Sequence, residues 1–314
     1  MSKRVDLVFR TVGERTSQVA LELAREAIQP DNEYVIDNVM PFSKAVNEQL
    51  QIDHKADTVV YVDADCLILE NMRPFLEWSD APYTDCYVQD RFRGRIHCGV
   101  HITRSDVVQE MRDVAPPAGD LAYVLRPESR LRNLAMRRLR ANKAFKGFKI
   151  LHDYHQSHKS IFEKYALREL RSRTPNQRAR LEGAMRDWNG EADFKVARSA
   201  IQHASECVDP NACPDTVAEY IENLPNLARE EVPKLGLPNQ EAFHVDHIGH
   251  PFEHGHRPKV FGLGLSRTGT RSLTAALHVL GWDTVHYPTD PRTLQDLMRG
   301  DGDFHLLNHF DGLT

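Results

Sequence analysis

Asp63 and Asp65 stand one residue apart at the end of an apolar run, Thr58-Val59-Val60-Tyr61-Val62. Alternate residues of an extended chain share a face, so the two carboxylates point the same way. Two hard oxygen donors at a strand's C-terminal edge suit Mn or Mg, and a cation there could hold a diphosphate. A strand that leaves the core through an Asp-rich turn gives the same pair with no ligand at all. A second polar cluster, His152-Asp153-Tyr154-His155-Gln156-Ser157-His158, follows the apolar Phe148-Lys149-Ile150-Leu151 and reads as another strand edge. A third chemical stretch is Gly262-Leu263-Gly264-Leu265-Ser266-Arg267-Thr268-Gly269-Thr270-Arg271-Ser272. A Gly/Ser/Thr turn running into a helix is a phosphate cradle, with backbone N–H groups facing an anion and arginine charge beside them. Its G-x-x-x-x-G spacing fits a P-loop, but Thr270 stands where a P-loop nucleotidase needs Lys, which disfavours an ordinary ATPase.

The elements that must carry these groups can be read in order. Val5 to Phe9 is a short apolar strand, and Ser17 can cap a helix through Ile28. Tyr34 to Ile36 is a second strand, Ser43 to Ile52 an amphipathic helix, and Thr58 to Val62 a strand β-branched or aromatic enough to be covered on both faces. Strand, helix, strand, helix, strand opens a doubly wound α/β sheet with a nucleotide at its C-terminal edge. No Gly-x-Gly-x-x-Gly follows the first strand, so a dinucleotide is disfavoured.

Pro41-Phe42-Ser43-Lys44-Ala45-Val46-Asn47, followed about a dozen residues later by the strand and its D-x-D, resembles family 2-like glycosyltransferases of the GT-A fold. The resemblance implies that Asp63 and Asp65 bind Mn or Mg and the diphosphate of a nucleotide-sugar donor. It implies that Asp37 contacts the base, that Arg10 and Thr11 line the nucleotide pocket, and that Asn47 belongs to the binding helix. The family's Pro-x-Tyr-Asn is replaced here by Arg10-Thr11-Val12-Gly13-Glu14-Arg15-Thr16, which leaves base and sugar open. In that family a carboxylate or His near the second strand edge acts as base or third metal ligand. Asp153 is therefore the expected base and His152 the metal or phosphate contact, with the reverse assignment also standing. His97 and His101, four apart in a strand-like segment, have no zinc spacing and read as polar residues near an acceptor. Arg126 to Lys149 carries many cations around apolar residues at helical spacing and reads as a solvated helix face; an anionic surface is the other reading. A helix is expected from Ser157 to Arg171, and another from Thr216 to Leu224, stopped by Pro225.

His244, His247, His250, His254 and His256 crowd a short span that reads as a linker, 241–257. Beyond it, Lys259 to Leu273 closely resembles the first cofactor loop of sulfotransferases that use 3′-phosphoadenylyl sulfate (PAPS). The resemblance implies PAPS contacts by Ser266, Arg267, Thr268, Gly269, Thr270, Arg271 and Ser272. Arg267 falls where several carbohydrate sulfotransferases keep a catalytic Lys. The expected organisation is a GT-A domain over 1–240, the linker, and an N-terminal part of a P-loop-like α/β sulfotransferase domain over 258–314, too short to bury a full core.

The bulk numbers bound the rest. The 314 residues are 41% hydrophobic and 27% charged, ordinary for a globular chain, and the net charge of −5 gives no support for nucleic-acid binding. Five irregularly spaced cysteines suggest free thiols in a reducing compartment. No apolar run approaches a membrane span, so a cytoplasmic protein is expected, with peripheral attachment at the inner membrane face left open. The function expected is metal-dependent sugar transfer from a nucleotide-sugar to a carbohydrate acceptor, in a chain whose second domain, present only in part, would sulfate carbohydrate from PAPS in sulfated polysaccharide synthesis. Two alternatives stand beside it: a sulfotransferase whose first domain is a non-catalytic glycan-binding module, and a sugar nucleotidyltransferase.

Overall fold

The computed structural model describes residues 2–248, 259–262, 264, 269–286, 293, 295, 298 and 305–314. β1 (Val5–Thr11), β2 (Asn32–Asp37) and β3 (Thr58–Asp63) lie side by side and parallel, connected by α1 (Ser17–Ile28) and α2 (Phe42–Gln51). The Asp63-Ala64-Asp65 turn leads into the short β4 (Cys66–Ile68) and α3 (Arg73–Trp78). β5 (Tyr83–Asp90) and β6 (Gly94–Arg104) pair antiparallel. α4 (Ser105–Asp113), α5 (Leu121–Leu125), α6 (Pro127–Arg138) and β7 (Lys143–His152) complete the sheet, whose order is β2-β1-β3-β6-β5-β7-β4. β1, β2, β3, β5 and β7 run one way, and β6 and β4 run against them. The sheet is therefore mostly parallel, as the sequence predicts.

β1 and β3 show no polar alternation because helices cover both faces. Leu7, Phe9, Val60 and Val62 pack with Ala20, Ala24 and Ile28 of α1, while Val8, Val59 and Tyr61 pack with Val46, Leu50, Met111 and Leu131 on the other side. A separate helical layer follows: α7 (His158–Leu170), α8 (Pro175–Arg186), α9 (Ala192–Cys207) and α10 (Pro214–Glu231), closed around Phe162, Tyr165, Trp188, Phe194 and Val217. Beyond it, β8 (Val260–Phe261), β9 (Thr284–Val285) and β10 (Gly312–Leu313) form a small all-parallel sheet ordered β8-β10-β9, with α11 (Thr270–Val279) between its first two strands.

Three local expectations change. Ser17 opens α1 but does not cap it; the position before it, Thr16, spends its hydroxyl on Ala64 O at 2.7 Å and so ties the helix to the Asp63-Asp65 turn. α10 does not stop at Pro225 but continues to Glu231, because Val217, Leu224 and Ala228 are all buried against the helical layer and their packing outweighs one lost hydrogen bond. The solvated face does not hold every cation of the basic stretch: Lys143, Lys146 and Lys149 belong to β7, and Arg132 is buried, bonded to Glu128 at 3.1 Å and seated 4.2 Å from the centre of the Tyr83 ring. Of the histidine run, His250, His254 and His256 lie outside the described residues.

Candidate active-site cleft

The C-terminal ends of β1 and β3 open onto a cleft of about 2350 Å³, lined among others by Arg10, Thr11, Asp63, Asp65, His152 and Lys164. The strand ends place Asp63 and Arg10 side by side in register. Arg10 Nε donates to Asp63 Oδ1 at 2.8 Å, and Nη1 donates to Glu128 Oε2 at 2.6 Å and Gln49 Oε1 at 2.9 Å. Arg10 is thus a buried clasp between β1, β3, α2 and α6. Burial raises the pKa of Asp63, and Arg10 opposes the rise. For Glu128 burial acts in the same direction but loses to Arg10, and its pKa is lowered to about 2.

Asp65 lies in the turn after β3 and faces the end of β7. Asp153 N donates to Asp65 O at 3.2 Å, and His152 pairs in register with Cys66. His152 Nδ1 is 2.7 Å from Asp90 Oδ2 and 3.3 Å from Asp153 Oδ2, and its Nε2 is 3.5 Å from Asp65 Oδ1. Burial works against charge on this ring, yet Asp153, Asp65 and the Asp90 bond push its pKa well above the ordinary value. Lys164, from α7, bonds both Asp65 Oδ2 and Asp153 Oδ1. Burial alone would raise the pKa of Asp65; Lys164 and His152 overcome it and hold the carboxyl far down. Asp90 is held down likewise against its burial, by Arg93 and His152. Asp65, Asp90 and Asp153 therefore meet Lys164, Arg93 and His152 in one closed ion network.

Of the residues singled out in the sequence, Arg10, Thr11, Asp63, Asp65 and His152 line the cleft. Thr11 Oγ1 donates to Glu14 Oε2 at 2.8 Å. Two expected binding residues do not reach it. Asp37 is exposed at the end of β2, where its Oδ1 accepts from Asn38 Nδ2 at 2.9 Å. Asn47 lies on the exposed face of α2, and Gln49, two residues on, is the one that turns inward to Arg10. Asp153, expected as base, is only 1% exposed and does not line the cleft; it sits behind Lys164 in a left-handed backbone conformation, φ 65°. Its position makes it a holder of Lys164 and not a group in reach of an acceptor.

A metal at Asp63 and Asp65 meets the same obstacle. Asp65, Cys66 and His152 lie close enough together to share an ion. However, Asp63 is bonded to Arg10, Asp65 and Asp153 share the Lys164 ammonium, and His152 is directed by Asp90. The donors that would serve Mn or Mg are already paired with cations, so the arrangement does not fit a divalent ion.

Sequence reasoning missed Lys164, Asp90, Arg93, Gln49 and Glu128. A signal existed for Lys164: with Arg168 it stands at i, i+4 in the helix expected over Ser157 to Arg171, and Arg171 follows at i+7. Asp90 had none, because only the β5-β7 pairing brings it to His152.

His97 and His101 of β6 also line the cleft. His97 Nδ1 is 3.5 Å and His101 Nδ1 3.2 Å from the buried Asp85 carboxylate, and the His97 side chain is 48% exposed. Burial lowers the pKa of His97 and Asp85 opposes the shift, so the ring is neutral near pH 7.

Of the expected PAPS contacts, Ser266, Arg267 and Thr268 lie outside the described residues. Gly269 precedes α11 with φ 86°, and Thr270, Arg271 and Ser272 form the first turn of that helix; Arg271 lines the same cleft as Asp65. Among the described residues no helix is long and apolar enough to cross a membrane.

Comparison with known proteins gives remote structural likenesses and one short family match. GlyE, a glycosyltransferase of Streptococcus pneumoniae, overlaps 70% of this chain and 63% of its own at 12% identity and a TM-score of 0.33. A glycosyltransferase involved in glycosylating the major capsid protein of PBCV-1 overlaps 48% and 94% at 10% identity and 0.32. The 4-diphosphocytidyl-2C-methyl-D-erythritol synthase of Anaerococcus prevotii overlaps 47% and 90% at 6% identity and 0.34. No curated protein matches the chain. Residues 259–302, the stretch that holds the phosphate cradle, match the family model of the sulfotransferase domain.

Proposed function

We propose that the large cleft transfers a sugar from a nucleoside-diphosphate sugar to a carbohydrate hydroxyl. The observation that carries the reading is the joining of two strand edges: Asp63 and Asp65 at the end of β3, and His152 at the end of β7, line one cleft. Ligands of open α/β sheets bind at that edge. In the reaction the acceptor oxygen attacks the anomeric carbon, the bond from that carbon to the diphosphate oxygen breaks, and the electron pair leaves with the diphosphate. The acceptor proton passes to a base, for which His97, oriented by Asp85, is the exposed imidazole in the cleft.

The match at 259–302 extends the reading to sulfation of carbohydrate from PAPS, with Gly269 to Ser272 on the phosphosulfate and Ser266, Arg267 and Thr268 completing the loop. A chain that joins sugar and sulfate transfer suits the making of a sulfated polysaccharide. The test is turnover of a panel of nucleotide-sugars by the intact chain, with and without Mn, against Asp65→Ala. Release of nucleoside diphosphate, lost in the variant, is the expected result. Release of pyrophosphate instead would identify a sugar nucleotidyltransferase. Glycan binding with no nucleotide-sugar turnover in either protein would reduce the first domain to a binding module.

A further inference from the structure

The cleft wall beside Asp65 is cationic and only partly neutralised. Lys164 and Arg168 of α7, with Arg171 just past its end, follow the i, i+4, i+7 spacing that aligns side chains on one helix face, and all three line the cleft. Arg126, from the start of α6, joins them. Arg126 Nη2 donates to Arg171 O at 3.3 Å, and Arg171 Nε donates to Leu125 O at 2.7 Å, so the guanidinium groups are held in place by backbone oxygens. Among the described residues, no carboxylate forms an ion pair with Arg126, Arg168 or Arg171, whereas their neighbours Arg93, Arg10 and Arg132 all have one.

Crowded cations without counter-charges are held at a cost. Burial, and then the charge of Arg93, lowers the pKa of Arg168 to about 10, and burial with Arg168 and Arg126 lowers that of Arg171. Such groups are relieved by an anion with several oxygens, and guanidinium forks match phosphate geometry. On the carboxylate side the inventory is closed: Lys164 already bridges Asp65 and Asp153, and Arg10 holds Asp63. A divalent ion would have to displace Lys164 and would add positive charge beside three arginines that form no ion pair among the described residues.

We propose that this wall is a metal-free diphosphate site: Lys164, anchored by Asp65 and Asp153, stands where a divalent cation would, and Arg126, Arg168 and Arg171 take the remaining charge of the leaving diphosphate. The inference rests on the reading that the cleft takes a nucleoside-diphosphate sugar. The acid network then serves to fix a lysine and not to chelate an ion.

The test is calorimetric titration of the whole chain with inorganic pyrophosphate, UDP and GDP, in EDTA and again with excess Mn. Saturable binding in EDTA is expected, with Arg168→Gln and Arg171→Gln each weakening it about tenfold to a hundredfold, the value of a charge-assisted phosphate contact. Lys164→Met frees Asp65 and Asp153, and it should convert a Mn-indifferent site into one whose binding Mn restores. The arginine variants break no ion pair and keep the test readable if Lys164→Met does not fold. Wild-type binding that appears only with Mn, or arginine variants that bind as wild type, would overturn the proposal. The nucleotide-sugar panel separates the two readings. Turnover only with Mn sinks the metal-free site and leaves glycosyl transfer standing. Pyrophosphate binding in EDTA with no turnover of any nucleotide-sugar sinks glycosyl transfer and leaves the anion site.

Discussion

Glu128 shows how far a single side chain can depend on its surroundings. It is buried, yet two bonds to Arg10 and Arg132 keep it ionised, with a pKa of about 2 against an ordinary 4.5. A carboxyl with a depressed folded pKa contributes its stability above 4.5 and loses it as pH falls toward 2. The difference is worth on the order of 3 kcal/mol. Denaturant melts of Glu128→Gln should be less stable than wild type at pH 7 and should lose less on acidification from pH 5 to 3; parallel pH curves for the two proteins would refute the assignment. His97 has a role in chemistry instead. Its pKa is lowered, so it is the free base above about pH 6.5 and becomes protonated only in acid. His97→Ala should reduce kcat about a hundredfold and remove the acid limb of the kcat profile while leaving pyrophosphate binding unchanged. A variant with the wild-type acid limb would show that the base is another group.

At the scale of elements, the site depends on how β4, β6 and β7 close behind Asp65. Gly99 of β6 has φ 70°, and a Cβ there would press on the Cys66 sulfur and lie 3.0 Å from Cδ2 of His152. Gly99→Ala should cost about 1–3 kcal/mol through the left-handed strain and the contact, read as a lower Tm, and should weaken pyrophosphate binding as His152 and Lys164 shift. Unchanged melting would mean that the hairpin yields freely. This packing marks the limit of what the sequence discloses. The β1-α1-β2-α2-β3 opening is legible because its periods are local: the run Thr58 to Val62 could only be a doubly covered strand, and Asp63 and Asp65 follow from it. The His152 edge is legible as polarity after an apolar run. What is not legible is which groups pair across long sequence distances. Asp90 meets His152 through the β5-β7 register, and Lys164 meets Asp65 across 99 residues, so a pair that reads as a metal site becomes an ion network. Pro225 misleads for a related reason, since its local effect is outweighed by the burial of Leu224 and Ala228.

At the scale of the whole molecule, the small parallel sheet is fastened to the large one around a buried carboxylate, beside the bond from Arg95 Nε to His278 O at 3.0 Å. Asp283 accepts from Arg95 Nη2 at 2.7 Å, Lys146 Nζ at 2.7 Å and Gly147 N at 2.6 Å, all from β6 and β7. Phe310 packs beside it on Phe75 and Trp78 of α3, with ring centres 6.1 and 5.8 Å apart. Gly147 lies tightly against the carboxylate, because a Cβ there would lie 2.6 Å from Asp283 Oδ1 and 2.7 Å from Oδ2. Gly147→Ala therefore pries the carboxylate away without deleting a charge, while Asp283→Ala leaves Lys146 and Arg95 with no counter-ion. Breaking a buried ion network from one side costs about 3 kcal/mol or more. Limited proteolysis should cut the 259–314 part faster in both variants, and more so in Asp283→Ala. Since neither substitution touches Lys164, Arg168 or Arg171, pyrophosphate binding in EDTA should stay at its wild-type value. Equal protease resistance in all three proteins would place the attachment in the Phe75, Trp78 and Phe310 contact. Loss of pyrophosphate binding would show that the docked segment shapes the cleft it helps to line.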